Sequence, residues 1–245
     1  MDRLKSGARS LGLTLTDQQL ATFQVYYQEL VGWNKRFNLT AITEYDQVQV
    51  RHFVDSLSCL LALPRPLCGP DRAPLRCIDV GSGAGFPGLP LKIYCTRLHM
   101  VLLEATSKKV SFLEHVVSHL DLEDVQTLWG RAEEVGQDPV HREAYDLVVA
   151  RAVADLSVLA EYALPLCRPG GRVVAQKGGS AQEEVQSAAH AFSLLGGSLR
   201  KVIPVELQGL AEPRHLVVID KVARTPERYP RRPGIPSKRP LGKRE

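Results

Sequence analysis

Asp79-Val80-Gly81-Ser82-Gly83-Ala84-Gly85-Phe86-Pro87-Gly88 is the stretch on which the reading of this 245-residue chain turns. A short apolar run, residues 76–80, leads into it, and Pro87 is suited to the first turn of a helix leading out of it. Glycines in such a strand-to-helix turn take up backbone angles closed to other residues and let a ligand approach the main chain without meeting a Cβ. In an open parallel sheet that turn lies at the carboxyl ends of the strands, where ligands bind.

Downstream the alternation continues. Residues 100–104, 125–129, 145–150 and 172–176 are short apolar runs that predict strands, and residues 87–94, 107–120, 155–167 and 181–195 predict the helices between them. Fully apolar strands alternating with helices imply a parallel sheet covered on both faces. Residues 201–207 and 215–221 have only a short connection, which predicts a hairpin and so an antiparallel last strand. Upstream, Leu20, Phe23, Tyr27, Leu30 and Phe37 keep helical spacing after a possible Thr16 cap, and Val50, Phe53, Val54, Leu57, Leu60 and Leu61 do so again. Pro64, Pro66, Gly69, Pro70 and Pro74 then mark a loop. The organisation expected is an N-terminal helical extension (1–74), an α/β domain (75–222) and a C-terminal tail (223–245).

The residues around the glycine turn narrow the chemistry. Glu104 ends the next predicted strand, where an acid accepts hydrogen bonds from ribose hydroxyls. Gly83 to Gly88 also satisfies G-x-G-x-x-G, the dinucleotide fingerprint. That match is weak by itself, because Asp79 at the strand end is a poor neighbour for a pyrophosphate. An acid beside the glycines suits a cofactor with cationic groups, and S-adenosylmethionine carries both an amino group and a sulfonium. Asp79, Gly81, Gly83 and Gly85 are therefore read as parts of a methyl-donor site. A nicotinamide-dependent oxidoreductase stands further behind, since no second mononucleotide half or separate substrate domain is visible.

Composition and charge set the setting. With 44% hydrophobic and 24% charged residues the chain is that of an ordinary globular protein, and no apolar run approaches the length of a membrane span. Five scattered cysteines without a C-x-x-C pair read as reduced thiols of a cytoplasmic protein. Residues 222–245 hold eight Lys and Arg against two acids, a local charge of +6, so the overall +4 leaves −2 on the rest. A mildly acidic body with a basic tail suggests one localised polyanionic contact, although a basic end is often only solvated chain. The prolines from Pro226 to Pro240 predict an extended tail, its first half folded back towards the site and residues 238–244 mobile.

The residues 79–91, DVGSGAGFPGLPL, resemble the signature of the RsmG (GidB) family of 16S ribosomal RNA guanine-N7 methyltransferases. The resemblance runs along nearly the whole chain. It includes Asn38-Leu39-Thr40, Arg51-His52-Phe53 with Asp55-Ser56-Leu57, Lys108-Lys109, Arg131-Ala132-Glu133, Arg151-Ala152-Val153-Ala154, Lys177-Gly178 and Tyr229-Pro230-Arg231-Arg232. It implies a class I S-adenosylmethionine-dependent methyltransferase, a Rossmann-like seven-stranded sheet with the last strand antiparallel. It also implies that Gly81 and Phe86 line the glycine turn, that Glu104, Ala105, Thr106 and Ser107 surround the adenosine, and that Ala132 and Glu133 flank the adenine. Arg151 would face the methionine end or the incoming base. Ala105 departs from the family pattern, which favours serine, and so forgoes one side-chain hydrogen bond. Arg51, His52, Lys177, Arg231, Arg232 and Lys238 would contact RNA, the implied partner being 16S ribosomal RNA or the small subunit, met by a monomer.

Methyl transfer to guanine N7 requires no proton removal, because N7 bears a free in-plane lone pair. No general base is therefore expected, and the rate enhancement is assigned to alignment and electrostatics. Another acceptor for the same fold, or a non-enzymatic assembly factor that retains the donor site, are the alternatives that turnover would separate. Arg51 and Asp55, one turn apart, read equally well as a solvated pair. Lys108-Lys109 reads as solvated charge, and Tyr26, Tyr27, Trp33 and Phe37 as helical core rather than a base-stacking platform. His115 and His119 stand at i and i+4, but no third ligand is evident and no metal is expected.

Overall fold

The computed structural model describes residues 1–63, 73–151, 154–210 and 212–242. Most of the loop read from Pro64, Pro66, Gly69 and Pro70 lies outside them. The chain opens with α1 (Asp2–Ser10) and α2 (Asp17–Phe37), then α3 (Tyr45–Val48), a π-helical turn (Gln49–Val54), α4 (Asp55–Leu57) and a 3-10 turn (Ser58–Ala62). The cap read at Thr16 is a full capping box: its Oγ1 accepts from the Gln19 amide at 3.2 Å, and Gln19 Oε1 accepts from the Thr16 amide at 2.9 Å. The Gln19 side chain also donates to the Ile93 and Tyr94 carbonyls, which ties α2 to the helix that follows the glycine turn.

The α/β part runs β1 (Leu75–Val80), α5 (Gly88–Tyr94), β2 (Leu98–Glu104), α6 (Ser107–His119), β3 (Val125–Trp129), α7 (Ala132–Val135), β4 (Tyr145–Arg151), α8 (Leu156–Ala163), β5 (Cys167–Lys177), α9 (Ala181–Leu194), β6 (Gly197–Val205) and β7 (Arg214–Lys221). These strands form one sheet in the order β3-β2-β1-β4-β5-β7-β6, with β7 antiparallel to both β5 and β6. The order reverses between β1 and β4, where open α/β sheets bind ligands. Helix α8 stops at Ala163 rather than reaching 167: Leu164 keeps helical angles as the cap, and Pro165 has no amide to continue the ladder.

Fully apolar strands follow from two cores. Along β2, Met100 and Leu102 face a core that contains α1, α2, α5 and α6 side chains, whereas Val101 and Leu103 face a second core built with α8 and α9. Leu4, Phe23, Tyr26 and Leu30 of the first helices belong to the same core as Cys77, Leu102 and Val174 of the sheet. Strand β6 is a sheet edge, with a register shift between Leu199 and Lys201 and with Pro204 near its end. Cys59, Cys77 and Cys167 are free and buried, as the reading as reduced thiols expects. Cys95 is disulfide-bonded, which that reading does not expect, and Cys68 lies outside the described residues. No helix among the described residues is long and apolar enough to cross a membrane.

The tail differs from the extended segment expected. After Gly234, with φ of 79°, it makes one helical turn, α10 (Ile235–Lys238), with Pro236 in the first turn, where a missing amide costs nothing. Lys238 is thus part of a docked segment that the structure follows to residue 242.

Candidate active site

The turn after β1 is held from beneath. Gly81, Gly83 and Gly85 have φ of 70°, 60° and 94°, and the Gly81 and Ser82 amides donate to Leu103 O of β2 at 2.8 and 3.0 Å. Tyr26 of α2 donates its hydroxyl to Ala84 O, so the N-terminal helices buttress the turn. A Cβ on Gly85 would come within 2.6 Å of that hydroxyl, and one on Gly88 within 2.9 Å of Asp79 Oδ2. A Cβ on Gly83 would meet only Gly81 O at 3.9 Å. Gly83 therefore faces open space while its neighbours are packed, which is the cradle that a cofactor needs.

Asp79 anchors the turn from beneath. It has no exposed surface, and its Oδ2 accepts the Gly88 amide at 2.8 Å, anchoring the start of α5. Its Oδ1 is buried without a hydrogen-bond partner among the described residues, so the side chain holds the turn and keeps one acceptor free. Burial pushes its carboxyl up to about 7, opposed by the Gly88 amide and Arg151. Glu104 closes the other side: Oε2 accepts from the Gly83 amide at 2.9 Å and Oε1 from the Thr106 amide at 2.8 Å. A carboxylate has about four acceptor directions, so Glu104 keeps some for hydroxyls.

Beside Glu104 lies a cleft of about 150 Å³ lined by Gly81, Ala105, Arg131, Ala132, Glu133 and Tyr162, among others. Gly81, Ala105, Ala132 and Glu133 thus come together as expected. Thr106 and Ser107 stand outside it on the exposed start of α6, Thr106 contributing through its backbone. Phe86 is also elsewhere: it is buried in a stack with Tyr26 and His52, at ring separations of 5.4 and 4.5 Å. Tyr162 was not legible in the sequence, where it is one apolar-face residue of α8.

Across the glycine turn, at the ends of β4, β5 and β7, is a second cleft of about 340 Å³ lined by Arg51, His52, Asp55, Arg151, Gln176, Lys177 and Arg214. Arg151 binds this cleft together, with Nη1 3.1 Å from Arg51 O and 3.4 Å from Asp55 Oδ2, and with its guanidinium 4.8 Å from the Phe86 ring centroid. Arg214 Nε lies 3.7 Å from Asp55 Oδ1. Asp55 is only 2% exposed, so it is no solvated partner of Arg51. Burial raises its carboxyl above the usual range, and Arg151 and Arg214 pull it back. His52 is buried too, with Nε2 2.8 Å from Thr40 Oγ1. Burial and then Arg151 depress its ring to about 3, which keeps it neutral. Arg51 Nε, Asp55 Oδ1 and Gln176 Oε1 are buried without a hydrogen-bond partner among the described residues. Lys177 lines the cleft but is committed, its Nζ 2.6 Å from Glu184 Oε2 and 2.7 Å from Ala154 O. Asp55, Gln176 and Arg214 are the residues that sequence reasoning missed here; Asp55 stood in a quoted motif, and nothing marked Gln176 or Arg214 as site residues.

A sequence profile of the family described as GidB, rRNA small subunit methyltransferase G, matches residues 19–217. The chain belongs to that family. The curated ribosomal RNA small subunit methyltransferase G of Roseiflexus castenholzii is 52% identical over 241 residues, covering 98% of this chain and 100% of that protein. Among solved structures, TrmN from Thermus thermophilus matches with a TM-score of 0.51 at 18% identity over 71% of this chain and 53% of its own. The [4+2]-cyclase SpnF matches with 0.52 at 14% identity over 69% and 82%. These two speak for the fold alone, and the cyclase illustrates that this fold does not dictate a reaction.

The basic tail docks against the body of the fold. Arg231 grips Glu161, which has no exposed surface, with Nη2 to Oε2 at 2.6 Å and Nε to Oε1 at 2.8 Å. Arg231 is thus a structural residue, contrary to the expectation of an RNA contact. Glu133 accepts the Gly234 amide at 2.9 Å, and Tyr162 shares a 2.9 Å hydrogen bond with Ser237. The tail therefore braces two residues of the smaller cleft. Arg232 and Lys238 remain exposed.

Proposed function

We propose that the protein transfers the methyl group of S-adenosylmethionine to N7 of a guanine in 16S ribosomal RNA. It acts in the cytoplasm, as a monomer, since one chain's residues complete both clefts. The smaller cleft fits the donor: Glu104 offers acceptors for ribose hydroxyls, Ala105, Ala132 and Tyr162 line an apolar slot for adenine, and Gly83 leaves the main chain open. When bound there, the donor supplies an electrophilic methyl on a sulfonium.

The observation that carries the acceptor is the set of orphaned atoms in the larger cleft. Among the described residues, Asp55 Oδ1 and Gln176 Oε1 are buried acceptors without hydrogen-bond partners, and Arg51 Nε is a buried donor without one. Buried polar atoms are seldom left so, and each costs about 1–3 kcal/mol unless something satisfies it. Guanine presents the complement on one edge, two N–H donor groups and the O6 acceptor, and gripping that edge leaves N7 free. No proton is removed from N7, in keeping with a His52 that stays neutral. Positive charge develops on the methylated ring, and the Asp55 carboxylate beside the base stabilises it. Arg151 and Arg214 hold that carboxylate in place and lend charge for a phosphate.

The test is incubation of the purified protein with tritiated S-adenosylmethionine and small subunits from cells lacking the modification, followed by nuclease digestion and mass mapping. Label in a single 7-methylguanosine is the expected result. Asp55→Asn should lower the rate by about 10²-fold or more while leaving donor binding by calorimetry unchanged. Donor binding without transfer to any subunit form would move the function to another acceptor or to a non-enzymatic role.

A further inference from the structure

Helices α2 and α6 bring together three side chains that line neither cleft and that the methyl-transfer reading does not use. Glu29 of α2 lies with Oε2 2.6 Å from His115 Nε2 and Oε1 3.5 Å from His119 Nε2. The ligand-type atoms of all three residues fall within 4.8 Å of one another. The third ligand that the histidine pair lacks in the sequence is therefore supplied by another helix, 86 residues away in the chain.

We propose that Glu29, His115 and His119 form a binding site for a divalent transition-metal ion of the zinc class, clamping α2 of the N-terminal extension to α6 of the methyltransferase fold. Two imidazoles and one carboxylate are a donor set that suits zinc and its neighbours and disfavours magnesium and calcium, which take oxygen ligands. Histidines at i and i+4 project from one helix face, so both ring nitrogens reach a common point. Metal bonds of about 2.0–2.1 Å at tetrahedral angles place ligand atoms about 3.3 Å apart. One ligand atom from each residue already lies within 4.8 Å of the other two, so small rotations of these partly exposed side chains bring them to that spacing. His115 is also preorganised: its ring packs against Trp33 of α2 at 4.9 Å and against His119 at 5.5 Å. Three protein ligands leave the remaining positions to water.

Zinc titrated into tag-free, chelator-stripped protein should bind one to one by calorimetry, and cobalt in its place should give visible absorption bands of a low-coordinate site. Zinc should also raise the melting temperature of the native protein by a few degrees, because it binds the folded form and bridges two elements. His119→Gln, at an exposed side chain, should fold with unchanged metal-free melting temperature and bind zinc at least tenfold more weakly; Glu29→Gln should do the same. No stoichiometric uptake by the native chain, or uptake by His119→Gln and by a His115→Ala/His119→Ala double variant equal to that of the native chain, overturns the proposal. Neither result depends on methyl transfer, so it stands or falls apart from the reading of the clefts.

Discussion

Asp79 shows what a buried carboxylate does to a protein's response to pH. Its carboxyl is pushed up to about 7 in the fold, against an ordinary value near 3.8 in the open chain. Between those values the folded state holds a proton that the unfolded state has released, so stability falls as pH rises from about 4 to about 7. Asp79→Asn keeps an acceptor for the Gly88 amide and removes the titration. Urea titrations across that range should show a flatter pH profile than the native protein, and a profile that keeps its slope would mean that another group supplies it. The glycine turn was legible because glycine has few other reasons to recur at every second position. The inward aim of Asp79 was not, since nothing local reveals that the Gly88 amide sits over the carboxylate. Asp55 illustrates the same limit: two residues four apart on a helix read as a pair, whereas burial and Arg151, 96 residues on, decide its partner.

At the level of elements, strands and helices were legible wherever apolar periodicity was long and a cap or proline marked the end, as at Thr16. The tail was misread because its prolines forbid a long helix but not one turn, and because Glu161, which fixes it, lies 70 residues earlier. Its docking separates two neighbouring arginines. Arg231→Ala takes the charge partner from a fully buried carboxylate, leaving it the amide of residue 231, and should cost about 3 kcal/mol in chemical denaturation. Arg232→Ala should leave stability unchanged while lowering the salt slope of RNA binding in filter titrations by roughly 0.7–0.9, the signature of one lost phosphate contact. Equal effects of both substitutions on the salt slope would show that the tail leaves its seat when RNA binds. Arg142 secures the same seat, reaching the carbonyls of Gly136, Thr225 and Tyr229 at 2.7–2.9 Å.

At the level of the whole molecule, the division at residue 74 is a feature of the chain and not of the core. We propose that the helical extension and the α/β part fold together, because Phe23 and Leu30 are buried with Leu102 and Val174. Trp33 packs against Phe37 of its own helix and Phe112 of α6, at 5.3 and 5.7 Å, and so reports on that junction. In a Trp129→Phe background, its fluorescence and far-UV circular dichroism should follow one coincident urea transition. An earlier fluorescence transition would mean that the helices unfold as a separate unit.

The sheet leaves β6, one of its two edge strands, with one side unpaired, and that side is guarded. Arg200 and Lys201 bring charge to it, Pro204 withholds an amide, and the register shift at Leu199 twists the strand away from a straight template. A second molecule meeting this border finds nothing to extend. This edge is thereby kept from pairing with another molecule at high concentration, and Lys201→Val with Pro204→Val would be the changes that remove the shield.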